Sequence, residues 1–345
     1  MYRIVAIRNT LFVLLISISV IFVNVVHSQE IATGDPSIIP PNTKVELLFN
    51  EGFFTEGPAV APDGSVYFSD ITWTDQSGMQ AGNIWRYDPK TGQAKVFRSP
   101  SGMSNGIIFD LEGRMVVAEG ADFGGRRVTR TDMTTNKSKI LAGLYRGRPF
   151  NSPNDLAIDE SGRIYFTDPR YSGHEPVEQP VMGVYRIDPD GTVSLIIADA
   201  GKPNGIVVSP DQKTLYVARL DNGAMAMRLP EGLKTSWGPG AILAYDLAPD
   251  GTAKFRKTLV DVSPKIGIDG MAIDIDGNIY ATMKNPVGVY VYSPEGKELA
   301  FIPTPESPNN VTFGRGPTNK TLYIAAGRSI YRIKLNREGY HAGKW

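Results

Sequence analysis

The chain has 345 residues, with 36 basic and 36 acidic side chains, 36 glycines, 25 prolines and no cysteine. With 41% hydrophobic residues it can bury a sizeable core. The balanced charge argues against a nucleic-acid partner, which requires clustered lysine and arginine. The absence of cysteine excludes disulfides, thiol catalysis and thiolate metal sites. Because only three histidines are present, a bound metal is expected to prefer oxygen ligands.

The first 28 residues differ in composition from the rest. Arg3 and Arg8, with no acidic residue nearby, precede an apolar run from Leu11 to Val23. This pattern predicts a signal peptide over residues 1–28, and therefore a periplasmic or secreted protein with no stable membrane association after cleavage. The alternative is an uncleaved membrane anchor, although the run is shorter than the roughly 20 residues that a spanning helix needs.

Short apolar stretches recur between clusters of Gly, Pro and Asp, which is typical of an all-β chain. A turn followed by an apolar strand occurs six times, with one equivalent position in each copy. These positions are Tyr67, Val116, Tyr165, Tyr216, Tyr280 and Tyr323. Their separation of roughly 50 residues is the period of a β-propeller blade.

Several copies contain a second hairpin, as at Val184-Tyr-Arg-Ile-Asp-Pro-Asp-Gly, where Pro and Gly favour a tight turn. The sequence therefore predicts a six-bladed propeller of four-stranded blades, forming one domain over residues 44–338. An N-terminal extension (29–43) precedes it and a C-terminal tail (339–345) follows it. The last copy lacks an outer strand, and we expect Val45-Glu-Leu-Leu-Phe to supply it and close the ring. A seven-bladed ring with one degenerate blade is the alternative.

A polar residue stands near the start of the strand that precedes each repeat position. The six residues, called here the ring residues, are Glu56, Asn105, Asn154, Asn204, Asp269 and Asn309. Inner strands line the channel of a propeller, so these side chains are expected to converge near one axis. The other interpretation is that each residue only caps the turn entering its strand. Converging carboxylate and amide oxygens favour Ca²⁺, with Mg²⁺, Mn²⁺ or Zn²⁺ as alternatives.

The loops after the second strand of each blade are expected to surround the same mouth of the channel. They carry Glu119, Tyr171 and His174, among other charged and aromatic residues. Such a mixture would suit a polar small molecule.

At Glu56-Gly-Pro, Asn151-Ser-Pro-Asn-Asp-Leu, Pro203-Asn-Gly-Ile and Asp269-Gly-Met-Ala-Ile-Asp the sequence resembles the gluconolactonase family that includes senescence marker protein 30 (regucalcin), in its bacterial secreted form. The resemblance implies a six-bladed propeller with a divalent cation, usually Ca²⁺, in the channel, and hydrolysis of lactones, typically sugar lactones. It places the metal ligands on Glu56, Asn154, Asn204 and Asp269. It also places Asn105 and Asp155 near the substrate or the metal-bound water, and the catalytic carboxylate on Asp269.

Together these features predict a metal-dependent lactonase with a small lactone as its partner. Asp269 is the predicted catalytic residue, either as general base on water, which we favour, or as nucleophile. The predicted substrate contacts are Asn105, Glu119, Asp155, Tyr171 and His174. The alternatives are a related ester or organophosphate hydrolase, and a non-catalytic propeller that binds a ligand with purely structural calcium.

Overall fold

The structure is a computed structural model that describes residues 30–221, 240–264 and 267–343. The predicted signal peptide lies outside the described residues. Within them, no helix is both long enough and apolar enough to cross a membrane.

The described residues form antiparallel sheets arranged as six blades, each built outwards from the channel. Two short strands come first: β1 (Thr33–Gly34) and β2 (Glu46–Phe49). Blade 1 contains β3 (Thr55–Val60), β4 (Val66–Asp70), the single-turn helix α1 (Thr74–Ser77), β5 (Asn83–Asp88) and β6 (Gln93–Arg98). Blade 2 contains β7 (Ser104–Phe109), β8 (Met115–Glu119), β9 (Arg127–Thr131) and β10 (Ser138–Ala142). A small hairpin follows, formed by β11 (Leu144–Tyr145) and β12 (Arg148–Pro149).

The remaining blades repeat this order. Blade 3 contains β13 (Leu156–Ile158), β14 (Ile164–Thr167), β15 (Val184–Ile187) and β16 (Val193–Ile197). Blade 4 contains β17 (Pro203–Val208), β18 (Thr214–Arg219), β19 (Ala241–Leu247) and β20 (Ala253–Asp261). Blade 5 contains β21 (Ile268–Ile273), β22 (Ile279–Lys284), β23 (Val287–Tyr292) and β24 (Glu298–Pro303). Blade 6 contains β25 (Pro308–Phe313), a single 3₁₀ turn (Gly316–Thr318), β26 (Thr321–Ala326) and β27 (Ser329–Lys334).

Strand β2 completes blade 6. It pairs antiparallel with β27, with Leu47 opposite Tyr331, and the sheet runs in the order β2-β27-β26-β25. The six-bladed propeller and its closure by an N-terminal strand are therefore confirmed, and the ring has six blades rather than seven. Closure pairs the strand edge that an open last blade would expose to solvent.

The repeat positions pack between blades. All six are at most 4% exposed. The ring of Tyr67 in blade 1 meets that of Phe109 in blade 2 at 5.6 Å, and Tyr280 in blade 5 meets Phe313 in blade 6 at 4.8 Å. Burying one such side chain contributes roughly 1.5–3 kcal/mol. The repeat residue, which is aromatic in five of the six copies, thus packs each blade against its neighbour.

Both terminal segments that flank the predicted domain pack on the propeller. Strand β1 pairs with the outer edge of β24, while Ile38 and Ile39 are buried in the core beneath blades 5 and 6. In the tail, Gly339 forms a β-bridge with Asp274, and the Nε2 of His341 lies 3.1 Å from the carbonyl oxygen of Gly314.

The inner strands approach one another unusually closely. In four blades the residue after the ring residue is glycine. A Cβ atom on Gly57 would lie 2.0 Å from the carbonyl oxygen of Asn105, and one on Gly205 would lie 2.4 Å from that of Asp269. Real side chains do not tolerate such distances, so glycine allows this approach. The result is a narrow channel in which polar residues of different blades come together.

Candidate functional site

A cavity of about 440 Å³, called here the upper cavity, opens at one end of the channel. Five of the six ring residues line it, and each of these is at most 8% exposed. They are Glu56, Asn105, Asn154, Asn204 and Asp269. The predicted convergence of carboxylates and amides therefore holds for these five residues.

Local irregularities of the inner strands accompany these side chains. The pairing of β3 with β4 shifts register between Glu56 and Ala59. Corresponding shifts occur between Ser104 and Ile107, between Pro203 and Ile206, and between Ile268 and Met271. A register shift bends a strand and redirects a side chain out of the regular alternation. The propeller thus departs from ideal pairing at the positions that carry its polar groups.

The sixth ring residue, Asn309, behaves differently. Its Nδ2 donates a hydrogen bond to the backbone carbonyl oxygen of Thr55 at 3.0 Å. The backbone carbonyl oxygen of Asn309 accepts a hydrogen bond from Thr282 Oγ1 at 3.0 Å. The expectation that all six side chains face the same cavity is therefore wrong for Asn309. Its amide is used to join blade 6 to blade 1 across the closure of the ring.

The two ring carboxylates of the upper cavity, Glu56 and Asp269, lie near one lysine, Lys284. Lys284 Nζ lies 3.3 Å from Asp269 Oδ2. Burial raises the pKa of Asp269, and the positive charge of Lys284 opposes that rise. Burial, followed by the charge of Asp269, raises the pKa of Glu56 well above its usual range. A further positive charge nearby would favour the ionised form of both acids.

The donor set fits a hard cation. Carboxylate and amide oxygens are the ligand types that Ca²⁺ and Mg²⁺ prefer. The buried Oδ1 of Asn105 has no hydrogen-bond partner among the described residues, so this oxygen remains free to bind. Within those residues, no group of three His, Asp or Glu side chains is arranged to hold a metal ion by itself. A cation in the upper cavity would therefore depend on amides as well as on Glu56 and Asp269.

Two predicted substrate contacts, Tyr171 and His174, line the same cavity. The hydroxyl of Tyr171 accepts a hydrogen bond from Asn204 Nδ2 at 3.2 Å and donates one to the carbonyl oxygen of Leu220 at 3.1 Å. His174 Nδ1 lies 2.6 Å from Asp122 Oδ1. The third-blade loop thus contributes one buried hydroxyl and one imidazole to the mouth.

Asp155 lies beyond the ring residues and lines a second cavity, of about 130 Å³, together with Asn310 and His341. We call this the lower cavity. Asp155 Oδ1 accepts a hydrogen bond from the backbone N–H of Leu156 at 2.9 Å. Burial raises the pKa of Asp155 to about 7. Its carboxylate belongs to the channel but is not part of the lining of the upper cavity.

Glu119 is not brought to the channel mouth. Its carboxylate accepts hydrogen bonds from Arg127 Nε at 2.7 Å and from Thr129 Oγ1 at 2.9 Å, both on the neighbouring strand β9. It lines a lateral groove on blade 2. Because the next strand already engages both oxygens, the structure places this residue in the framework of blade 2, away from the upper cavity.

Sequence reasoning did not select Phe54 and Asp122, which line the upper cavity, whereas it placed Trp73 in the loops around the channel mouth. Phe54 and Trp73 form an aromatic wall, with ring centroids 5.6 Å apart, and Asp122 holds His174. Phe54 precedes its ring residue by two positions, which is a local signal that could have been used. No local sequence signal marks Asp122, because its partner His174 is 52 residues away in the sequence.

The fold and the site together define a six-bladed propeller with a buried, carboxylate-bearing pocket at one mouth of its channel. Residues 54–328 match the family model described as the SMP-30/Gluconolactonase/LRE-like region. The chain is 31% identical to a gluconolactonase of Zymomonas mobilis over 324 residues, covering 88% of this chain and 84% of that protein. It is 28% identical to the lactonohydrolase oryL of Aspergillus oryzae, covering 89% of this chain and 73% of the relative.

Among solved structures, a gluconolactonase from Xanthomonas campestris superposes with a TM-score of 0.71 at 25% identity, covering 90% of this chain and 99% of the other. The protein therefore belongs to the SMP-30/gluconolactonase/LRE-like family. The family resemblance predicted from the inner-strand motifs is confirmed.

Proposed function

We propose that this protein is a metal-dependent lactonase that opens the ring of a small lactone, a sugar lactone being the first candidate, with Ca²⁺ as its cation. The observation that carries this proposal is the convergence of Glu56, Asp269 and three amides in one buried cavity at the channel mouth. The kinship to gluconolactonases supports the reaction class.

The residues of the upper cavity divide the chemistry among them. Glu56, Asn154, Asn204 and Asp269 would hold the cation, which when bound supplies Lewis-acid polarisation of the lactone carbonyl. Asp269 takes a proton from the attacking water as general base, and Lys284, 3.3 Å away, balances and orients its charge. The hydroxyl of Tyr171 accepts a hydrogen bond from Asn204 and donates one to the backbone of Leu220, and so helps to position the Asn204 amide.

The first experiment is a hydrolysis panel with protein stripped by a chelator and then given Ca²⁺, Mg²⁺, Mn²⁺ or Zn²⁺ separately. The substrates are aldonolactones, unsubstituted γ- and δ-lactones and an aryl ester. We expect lactone turnover to return with Ca²⁺. Turnover of the ester alone would favour the related ester hydrolase. A folded protein that binds Ca²⁺ but hydrolyses nothing would support the non-catalytic propeller.

The Asp269→Asn variant tests the catalytic assignment. Removal of the base should lower kcat by about 100-fold or more while the fold is retained. Asp276→Asn is the matched control, because this acid in the same blade is half exposed and pairs with surface Arg337. Undiminished hydrolysis by Asp269→Asn would reject this residue as the catalytic group. Solvent oxygen label found in the Asp269 carboxylate after one turnover would instead assign it as the nucleophile.

We also propose export through residues 1–28, on the basis of their charge and apolar pattern. N-terminal sequencing of the protein isolated from its producing cells tests this. A first residue at or near Gln29 is expected, whereas an intact Met1 in a membrane fraction would favour the anchor.

A further inference from the structure

A carboxylate–imidazole pair stands at the mouth of the upper cavity. His174 Nδ1 lies 2.6 Å from Asp122 Oδ1, and both residues line the cavity. The side chain of Asp122 is only 5% exposed, while that of His174 is 38% exposed. The pair therefore has a buried acid behind an imidazole that solvent and ligands can reach.

Three blades build this pair. From blade 1, the backbone N–H and the hydroxyl of Thr74 donate to Asp122 at 2.8 and 2.9 Å. From blade 3, the carboxylate of Glu175 accepts the backbone N–H groups of Asp122 and Phe123 at 3.0 and 2.6 Å. The ring of Phe123, in the loop after β8, lies 4.9 Å from that of His174. Neighbouring groups thus determine both the position of the Asp122 carboxylate and the orientation of the His174 ring.

The backbone of this loop is held in an uncommon conformation. Asp122 and Phe123 have φ angles of +73° and +63°. A residue other than glycine is strained at such angles and persists there only where surrounding contacts support it. Such strain is often found at functional positions, and here it directs Asp122 at His174.

The second ring nitrogen of His174 is available to a ligand. Asp122 engages Nδ1, and Nε2 has no hydrogen-bond partner among the described residues. A carboxylate on one nitrogen fixes the orientation of the ring and leaves the other nitrogen for proton transfer, the arrangement used by acid–base histidines. Asp269 lines the same cavity, so one substrate could contact both residues.

We propose that His174 is the catalytic acid that protonates the departing ring oxygen of the lactone, and that Asp122 is its positioning residue. This inference rests on the proposed lactonase function and adds the second proton transfer to it. Asp269 serves the attacking water, and His174 serves the leaving group.

Hydrolysis of the lactone requires two proton transfers. Water oxygen bonds to the carbonyl carbon and gives one proton to Asp269. The ring C–O bond then breaks, its electron pair stays on the ring oxygen, and that oxygen takes the Nε2 proton of the imidazolium form of His174. Asp269 releases a proton to solvent and His174 recovers one. One water is consumed and one hydroxy acid is formed.

Leaving-group dependence tests this assignment. The two substrates are δ-valerolactone, whose leaving group is an aliphatic alkoxide, and dihydrocoumarin, whose leaving group is a phenoxide with a conjugate-acid pKa of about 10. A phenoxide departs without protonation, whereas an alkoxide requires an acid. We expect His174→Gln to lower kcat/KM for δ-valerolactone by about 100-fold or more and to change it for dihydrocoumarin by less than about threefold.

Asp122→Asn provides a second variant that keeps the local backbone, because asparagine tolerates the left-handed region. It should reproduce the selective loss on δ-valerolactone, since a neutral amide does not balance an imidazolium. Asp190→Asn, in a surface turn of blade 3, is the matched control. Equal losses on both substrates, or none on δ-valerolactone, would overturn the role of His174. A wild-type protein that hydrolyses neither of these two lactones nor any aldonolactone would overturn the proposed function, and this inference with it.

Discussion

At the scale of single residues, the carboxylates of the inner strands and those at the ends of the second strands have different roles. Glu56 and Asp269 face the upper cavity. Asp70 and Asp168, at the ends of second strands, instead bind the chain entering their own blades. Asp70 accepts the backbone N–H of Phe53 at 2.7 Å, and Asp168 accepts that of Ser152 at 2.7 Å. These acids act on the cavity only by holding the backbone beside the ring residues.

The burial of Asp168 leads to a pH-dependent stability. Burial raises its pKa to about 7, above the value of about 3.9 in an unfolded chain. The native state therefore holds a proton that the unfolded state has lost. The contribution of Asp168 is fully present below about pH 4 and is lost as the pH rises through 7. Relative to Asp168→Asn, the wild type should lose roughly 1 kcal/mol of unfolding free energy per pH unit between about pH 5 and 7.

Urea denaturation of both proteins at several pH values measures this difference, and the variant serves as the reference for all other titrating groups. A difference between the two proteins that does not vary with pH would show that Asp168 is ionised throughout in the native state.

At the scale of elements, the closing strand β2 makes the ring continuous through both backbone and side chains. It pairs with β27, and the ring of Phe49 lies 5.0 Å from Phe68 and 4.9 Å from Trp85, both in blade 1. The N-terminal strand therefore completes blade 6 and also packs against blade 1. Buried and exposed side chains alternate along β2, so that Phe49 is buried against blade 1 while Leu47 is half exposed.

Phe49→Ala should lower the free energy of unfolding by about 3 kcal/mol or more, because it leaves a cavity between the last and first blades. Leu47→Ala, in the same strand but facing solvent, should change it by less than about 0.5 kcal/mol. Chemical denaturation measures both variants. If both variants changed the free energy of unfolding by the same small amount, the packing of Phe49 against blade 1 would not stabilise the ring.

At the scale of the whole molecule, the propeller has a different structure at each end of its channel. Five of the six ring residues line the upper cavity, while Tyr340 and His341 of the C-terminal tail line the lower cavity. The hydroxyl of Tyr340 accepts a hydrogen bond from Gln212 of blade 4 at 2.8 Å and donates one to Glu160 of blade 3 at 3.1 Å. Residues following the last blade thus connect with the middle of the ring.

The tail should make the fold sensitive to acid. Burial, with the nearby charge of Arg315, lowers the pKa of His341 to about 3, compared with about 6.5 when unfolded. The unfolded state therefore takes up a proton first, and stability is lost as the pH falls below about 6.5. Between about pH 7 and 5, the wild type should lose about 2 kcal/mol of unfolding free energy relative to His341→Gln. If the free energies of unfolding of the two proteins changed with pH in parallel, His341 would not be buried as a neutral imidazole.

The sequence by itself determined the number of blades, the closing strand and the five ring residues that line the upper cavity. These follow from period, turn chemistry and strand alternation, which are local and repeated six times. The tertiary structure alone decided that Asn309 binds Thr55, that Glu119 faces Arg127, and that Asp155 lies in the lower cavity. It also brought Asp122 to His174 across 52 positions. The direction of a side chain at the channel depends on register shifts and on loops of other blades, and no local pattern encodes either.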